Sequence, residues 1–225
     1  MPHSLSWLEL LNVLIQKWSS INIKQPVMKN VMQQGQIMIL YKYRSLDNLK
    51  FLIDIFLNNR LYAAPYTDMN DPMEGHYFNR SGELSDEFKS ALKGEKDNYG
   101  ICSLSSVSNN NLMWAHYANG HNGVAIGVEV DSSFEVRKVK YEGLGSLTHN
   151  YSVQPAEAAV SILSHKLEIW DYEQEYRVFV QNDRYVAIAI REVIFGRRVS
   201  EDDKEFYRSL FSKLSLGIKF KDELS

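Results

Sequence analysis

Two glutamates in the last third of the chain have a spacing that suggests acid–base or electrostatic chemistry. Glu173 and Glu175 lie two residues apart, ahead of Arg177. On a β-strand all three would share one face, because strand side chains alternate. Two carboxylates that lie so near each other in a partly buried site do not both ionise easily. Either one of them has a raised pKa, or both share the cation of Arg177. A surface ladder of salt bridges is the structural alternative.

A cationic pair occurs much earlier, in Tyr41-Lys42-Tyr43-Arg44. If this is a strand, Lys42 and Arg44 point to one face and the two tyrosines to the other. A helix is predicted to begin after Ser45, and a helix N-terminus also favours anions. The pair therefore predicts a seat for a phosphate, with an edge strand carrying solvated charges as the alternative.

The segment from Asn70 to Gly75, Asn-Asp-Pro-Met-Glu-Gly, predicts a shaped loop. Asn70 and Asp71 can bond the local backbone, Pro72 fixes φ, and Gly75 permits positive φ. A purely structural loop would use the same residues. Glu74 is the member that loop structure alone does not require, so the loop is also a candidate part of a binding site.

A serine-containing strand and an aromatic helix form the last group. Ser103 and Ser105 lie on either side of Leu104 in the predicted strand. Trp114, His116 and Tyr117 lie close together on the predicted helix that follows. An aromatic wall beside a histidine suits a flat heterocycle such as nicotinamide or adenine, although the same pattern is typical of a hydrophobic core. The spacing of the histidines suits no compact metal site, so no metal is predicted.

The elements that must position these residues do not alternate regularly between strand and helix. This order predicts an α+β fold with a curved, mostly antiparallel sheet and flanking helices. The predicted strands are 37–43, 60–64, 99–105, 123–130, 136–141, 176–180, 185–190 and 193–195. The predicted helices begin at 45 and cover 85–93, 112–118, 156–165 and 201–214.

Length and composition set the organisation of the chain. Its 225 residues, 44% of them hydrophobic, suit one domain over residues 37–225, preceded by an amphipathic helix at 5–18 and a connector to residue 36. The helix either packs onto the domain or docks a regulatory or antitoxin partner or a second copy of the chain. No apolar run approaches the roughly 20 residues of a membrane span. A single cysteine and the lack of a signal-peptide pattern predict a cytoplasmic protein.

Between Leu40 and Gly196 these motifs, in order, resemble a widespread bacterial family of uncharacterised domains. Its members show Tyr-Lys-Tyr-Arg, Asn-Asp-Pro-x-Glu, Ser-Leu-Ser, Met-Trp-x-His-Tyr-Ala-x-x-His-x-Gly and Trp-x-x-Glu-x-Glu-Tyr-Arg. A more distant resemblance is to the ADP-ribosyltransferase fold. There, the strand that begins at Glu175 is similar to the one bearing the catalytic glutamate, and Lys42-Tyr43-Arg44 precedes Asp47-Asn48-Leu49 with near-matching spacing. The first strand has no histidine, where DNA-modifying members have one.

The second resemblance implies an ADP-ribosyltransferase-like fold and NAD as substrate. Glu175 would stabilise the oxocarbenium-like ribose as nicotinamide leaves, and Glu173 or His116 would deprotonate the acceptor. The candidate NAD-binding residues are Lys42, Tyr43, Arg44, Asn70, Asp71, Glu74, Ser103, Ser105, Trp114 and Tyr117.

The resemblance further implies a protein or nucleic-acid acceptor and a toxin or anti-phage role. Two other classes of function stay open, a hydrolase or nuclease and a non-catalytic module that binds a nucleotide or a partner.

Overall fold

The computed structural model describes residues 38–79, 84–147 and 153–223. By its internal contacts the chain divides into two units, Met1–Gln36 and Ile37–Ser225. The predicted N-terminal helix and connector, and any partner they bind, lie outside the described residues. All of the described residues belong to the second unit.

Eleven strands are present in the described residues. They are β1 Leu40–Ser45, β2 Arg60–Tyr62, β3 Ala64–Pro65, β4 Tyr77–Phe78, β5 Gly100–Ser105, β6 Gly123–Val130, β7 Val136–Lys138, β8 Gly145–Ser146, β9 Glu175–Val180, β10 Tyr185–Phe195 and β11 Lys219–Asp222. Nine of them form one sheet, whose main order is β11-β10-β6-β1-β5-β9-β7, with β2 paired to β10 and β3 to β5. Only β10–β11 and the separate β4–β8 pair are parallel. The predicted α+β class with a mostly antiparallel sheet is confirmed.

Five α-helices accompany the sheet in the same residues. They are α1 Leu49–Asn58, α2 Asp86–Asn98, α3 Asn111–Tyr117, α4 Pro155–Ile162 and α5 Glu201–Leu214. A 3₁₀ turn covers Tyr66–Asp68, and a longer one covers Glu168–Glu173. No helix among the described residues is long and apolar enough to cross a membrane.

The helices adjacent to β1 are fixed by specific contacts. Helix α1 ends because Asn59 adopts a left-handed conformation, with φ 48°. Its Phe56 stacks on Phe211 of α5 with ring centroids 3.8 Å apart, and both rings are fully buried. Helix α3 begins at Asn110, whose side chain accepts hydrogen bonds from two backbone amides of the first turn. The first contact packs α1 against α5, and the second fixes the start of α3.

Predicted and observed elements differ mainly at their ends. Strands predicted at 185–190 and 193–195 are one strand, Tyr185–Phe195, whose register against β6 shifts between Ile190 and Glu192. The strand predicted at 136–141 ends at Lys138, and β4, β8 and β11 were not predicted. These three are short and mostly exposed, so their sequences lack the apolar alternation that marks a strand.

Candidate functional site

A cleft of about 900 Å³ opens beside β1 and β5 and collects most of the predicted site residues. This volume lies within the range of small-molecule binding sites. The predicted residues that line the cleft are Lys42, Tyr43, Arg44, Asn70, Ser103, Ser105, His116, Tyr117, Glu173 and Glu175. The other three, Asp71, Glu74 and Trp114, lie outside the lining.

Strand register fixes the order of features along the cleft. Ser105, at the end of β5, pairs with Tyr41 of β1 and with Glu175 of β9. Ile101, near the start of β5, pairs with Ala64 of β3. The four steps along the strand from Ile101 to Ser105 span about 13 Å at the usual rise of a strand. The cleft therefore has a carboxylate end beside β9, a middle section on β1 and β5, and an opposite end beside β3.

Two cations form the floor of the middle section. The ammonium of Lys42 donates to the carbonyl of Ser103 at 2.8 Å. The Nε of Arg44 and the Oγ of Ser103 are buried and have no hydrogen-bond partner among the described residues. β1 lies between β5 and β6 at the centre of the sheet, so the edge-strand alternative for these charges does not apply. Buried donors without partners are costly in a free protein, and this makes them candidate ligand contacts.

Burial and the neighbouring Arg44 lower the pKa of Lys42 to about 8. Lys42 is therefore charged below about pH 8 and loses its proton as the pH rises through that value. The phosphate site that the sequence predicts at Lys42 therefore implies that affinity for a diphosphate such as ADP falls about tenfold between pH 7.5 and 9, the cost of losing one charged hydrogen bond. The phosphate of ADP itself titrates near pH 6 and stays ionised over this range.

Calorimetric titration at several pH values measures this dependence. The Lys42→Met variant should bind ADP more weakly and with no pH dependence over the same interval. A wild-type affinity that does not change with pH would contradict a direct contact between Lys42 and the phosphates.

The carboxylate end differs from its predicted geometry. Glu173 closes the 3₁₀ turn, Gln174 adopts a left-handed conformation with φ 44°, and only Glu175 belongs to β9. The prediction that Glu173 shares a strand face with Glu175 and Arg177 is therefore wrong. The two carboxylates meet instead through Lys166, whose Nζ lies 2.5 Å from Glu173 and 3.1 Å from Glu175.

Lys166 was missed by sequence reasoning, because no motif surrounds it. It is buried, lines the cleft and lies 5.1 Å from the centre of the Trp170 ring. The other oxygen of Glu173 accepts a hydrogen bond from the hydroxyl of Tyr117 at 2.5 Å. Both oxygens of Glu173 are thus held by groups that also line the cleft.

Behind Glu175 lies a buried arginine that faces two carboxylates. Arg177 is fully buried and donates to both oxygens of Glu74, at 2.6 and 2.8 Å. It also donates to Glu175, at 2.8 and 3.1 Å, and to the carbonyl of Leu163, at 2.5 Å. Negative and positive charges alternate in the order Glu74, Arg177, Glu175, Lys166 and Glu173. Glu173 is the outer end of this series of ion pairs.

The network shifts the pKa values of the two cleft carboxylates in opposite directions. Burial alone would raise the pKa of Glu175, but Arg177 and Lys166 hold that pKa well below its usual range. Burial raises the pKa of Glu173, and repulsion from Glu175 adds to the rise against the opposing effect of Lys166. Paired acids with pKa values pushed apart are a common feature of catalytic sites, where they take different roles.

The structure corrects three of the predicted cofactor contacts. Trp114 is fully buried, packs edge-on against Tyr43 at 5.2 Å and donates to the carbonyl of Ser108, so it cannot stack on a ligand ring. Asp71 is buried and accepts a hydrogen bond from the amide of Met73, which stabilises the turn. Glu74 reaches the cleft only through Arg177.

The remaining aromatic residues of α3 are better placed. Tyr117 is half-buried and His116 is exposed, and both line the cleft. The His116 ring lies 6.2 Å from the ring of Tyr117 and 6.2 Å from that of Tyr172. Tyr172 and Trp170 line a smaller groove that adjoins the carboxylate end.

Residues 113–178 are similar to a family described as a protein of unknown function (DUF2971). The matched segment includes His116, Tyr117, Lys166, Glu173 and Glu175, which are the carboxylate end of the cleft and its neighbours. The match supports the predicted similarity to an uncharacterised family. No curated protein and no solved structure matches the chain.

Proposed function

We propose that the cleft binds NAD and cleaves its nicotinamide–ribose bond, so that the protein acts as an ADP-ribosyltransferase or an NAD glycohydrolase. One observation carries the proposal. Two cations, Lys42 and Arg44, line the same cleft as the carboxylate of Glu173 and form no ion pair among the described residues. The cations and the carboxylate are separated by less than the length of one strand.

The middle section supplies the binding energy for the diphosphate. Arg44 and Lys42 offer charged donors on one side of β1, and the hydroxyl of Ser103 lies beside them. Charge-assisted hydrogen bonds to phosphate oxygens are roughly twice as strong as neutral ones. A diphosphate seated here would lie against both cations, which line the cleft.

The carboxylate end supports the chemical step. When the bond between the ribose carbon and the nicotinamide nitrogen breaks, the electron pair leaves with nicotinamide and positive charge develops on the ribose. A fixed carboxylate beside that carbon stabilises the charge electrostatically. Glu175 shares its charge with Arg177 and Lys166, whereas Glu173 is the outer end of the network. We therefore assign this role to Glu173 rather than to Glu175, because the ammonium of Lys166, 2.5 Å away, opposes the rise in the pKa of Glu173 and favours its ionised form.

The second half of the reaction needs a nucleophile. In a glycohydrolase a water molecule attacks the ribose carbon, and in a transferase a hydroxyl, amine or base nitrogen of the acceptor does so. His116 is exposed at the same end of the cleft and is suited to accept the proton that the nucleophile loses. A protein or nucleic-acid acceptor and a toxin or anti-phage role are extensions of this proposal.

Product analysis tests the proposal because it identifies the bond that breaks. Purified protein is incubated with NAD and the products are separated by chromatography. Nicotinamide with ADP-ribose, free or attached to an acceptor, is the expected result. Nicotinamide mononucleotide with AMP would instead indicate a hydrolase that cleaves the diphosphate, and would overturn the assignment of Glu173.

The pairing of Glu175 favours a second candidate, a non-catalytic nucleotide-binding module. Its charge is fully shared with Arg177 and Lys166, and Glu173 is itself held by Lys166 and Tyr117. A site of this kind could recognise a nucleotide through its cations without turning it over. NAD binding in calorimetry with no product after long incubation would support this candidate over the enzyme.

A further inference from the structure

The end of the cleft farthest from the carboxylates is lined by three aromatic rings that sequence reasoning did not single out. Phe51 of α1 is 62% exposed and Tyr62 of β2 is 48% exposed, while Tyr185 of β10 is half-buried. Single exposed aromatic residues are ordinary on protein surfaces. Three that come from three separate elements and line one cleft are better explained by a ligand. Tyr62 and Tyr185 are in contact, and Phe51 lies one helical turn before Asp54, which bonds the Arg60 guanidinium beside the Tyr185 ring.

Two of these rings are held in place by contacts around them. Tyr62 pairs with Tyr185 across β2 and β10, and their rings meet edge to face with centroids 5.8 Å apart. The guanidinium of Arg60 lies 3.6 Å from the centre of the Tyr185 ring. Asp54 fixes that guanidinium through hydrogen bonds of 2.8 and 3.2 Å. A preorganised aromatic surface loses little entropy when a flat ring stacks on it.

The position of the rings relative to the cations suits a nucleotide. Tyr62 immediately precedes the segment in which Ala64 pairs with Ile101, and Ile101 lies two residues from Ser103 in the cationic section. Two strand residues correspond to about 7 Å. The aromatic end and the cationic floor are therefore neighbouring sections of the cleft, as a base and its phosphates require.

Polar groups at the same end can read the edge of a base. Asn48, which precedes α1, and Asp68, which closes the 3₁₀ turn after β3, both line the cleft and offer an amide and a carboxylate. We propose that this aromatic end binds the base of a nucleoside diphosphate whose phosphates contact Lys42 and Arg44. The identification of the base as adenine rests on the proposed function, because adenine is the base that NAD would place there.

Comparison of ADP with inorganic pyrophosphate isolates the contribution of the base. We expect Phe51→Ala to weaken ADP binding about tenfold, the effect of losing one stacking partner. Its affinity for pyrophosphate should stay unchanged, because pyrophosphate has no base. Phe78→Ala is the matched control: Phe78 is 64% exposed and does not line the cleft, so both affinities should be those of the wild type.

The remaining outcomes each overturn the inference or separate it from the proposed function. Phe51→Leu keeps an apolar side chain and removes the ring, so it serves if Phe51→Ala fails to fold. Equal losses for ADP and pyrophosphate, unchanged ADP affinity, or no ADP binding by the wild type would overturn the inference. Binding of ADP that depends on Phe51 without nicotinamide release from NAD would retain it and reject the enzyme.

Discussion

Replacement of Arg177 by methionine is expected to lower the free energy of unfolding by about 3–5 kcal/mol, the usual effect of breaking a buried ion pair. Arg177 is fully buried and donates to both Glu74 and Glu175. Methionine fills a similar volume but leaves two buried carboxylates without their cation. The carboxylate end of the cleft should lose its geometry as well, because Lys166 alone would then face Glu175 and Glu173.

Denaturant unfolding at neutral pH measures this loss. Arg191→Met is the matched control, because Arg191 is paired with Glu129 at the protein surface. Exposed ion pairs contribute only about 0–1 kcal/mol, so the control should unfold close to the wild type. A loss for Arg177→Met no larger than that of the control would show that the buried network does not stabilise the fold.

The same substitution at Arg44 is expected to act in the opposite direction on stability. The Nε of Arg44 is buried without a hydrogen-bond partner among the described residues, and burial lowers the pKa of the guanidinium. Removing a buried polar group that is not satisfied should stabilise the free protein by roughly 1 kcal/mol. Affinity for ADP or pyrophosphate should meanwhile fall at least about 30-fold, because the proposed phosphate site would lose one of its two cations, which is half-buried.

The two arginine variants together separate structure from function. Arg177→Met should lower stability, whereas Arg44→Met should keep or raise it and lose ligand binding. Functional sites often show this exchange between stability and activity. Unfolding measured without ligand and calorimetry with pyrophosphate give both quantities on each variant. If Arg44→Met destabilised the protein as much as Arg177→Met, Arg44 would be a structural residue and the phosphate site would be rejected.

Alternation along strands explains what the sequence predicted well. The period of two on β1 correctly separated Lys42 and Arg44 from Tyr43, which packs against Trp114, although Tyr43 also contributes to the lining of the cleft. The irregular order of strands and helices likewise predicted the antiparallel α+β sheet. These features depend on local patterns, which a single sequence records directly.

The errors arose where tertiary structure overrides a local pattern. Trp114 and Tyr117 show the same helical spacing, yet one is in the core and the other in the cleft, and spacing alone does not distinguish the two. The left-handed Gln174 interrupts the strand that would have aligned Glu173 with Glu175.

Long-range ion pairs were also beyond sequence reasoning. Glu74 and Arg177 are 103 residues apart, and no local sequence pattern predicts their contact. Lys166 lies outside every motif, although it joins both cleft carboxylates. Because no motif includes Lys166, its ion pair with Glu173 was not predicted.

Release of nicotinamide from NAD by the wild type and by Glu173→Gln is the most direct test of the central claim. The wild type should release nicotinamide, and the variant should do so at least about 100-fold more slowly, the usual effect of removing a group that stabilises transition-state charge. ADP affinity should remain close to that of the wild type, because Glu173 lies at the other end of the cleft from the bound base. No release by a wild-type protein that binds NAD, or equal release by the variant, would contradict the proposed role of Glu173.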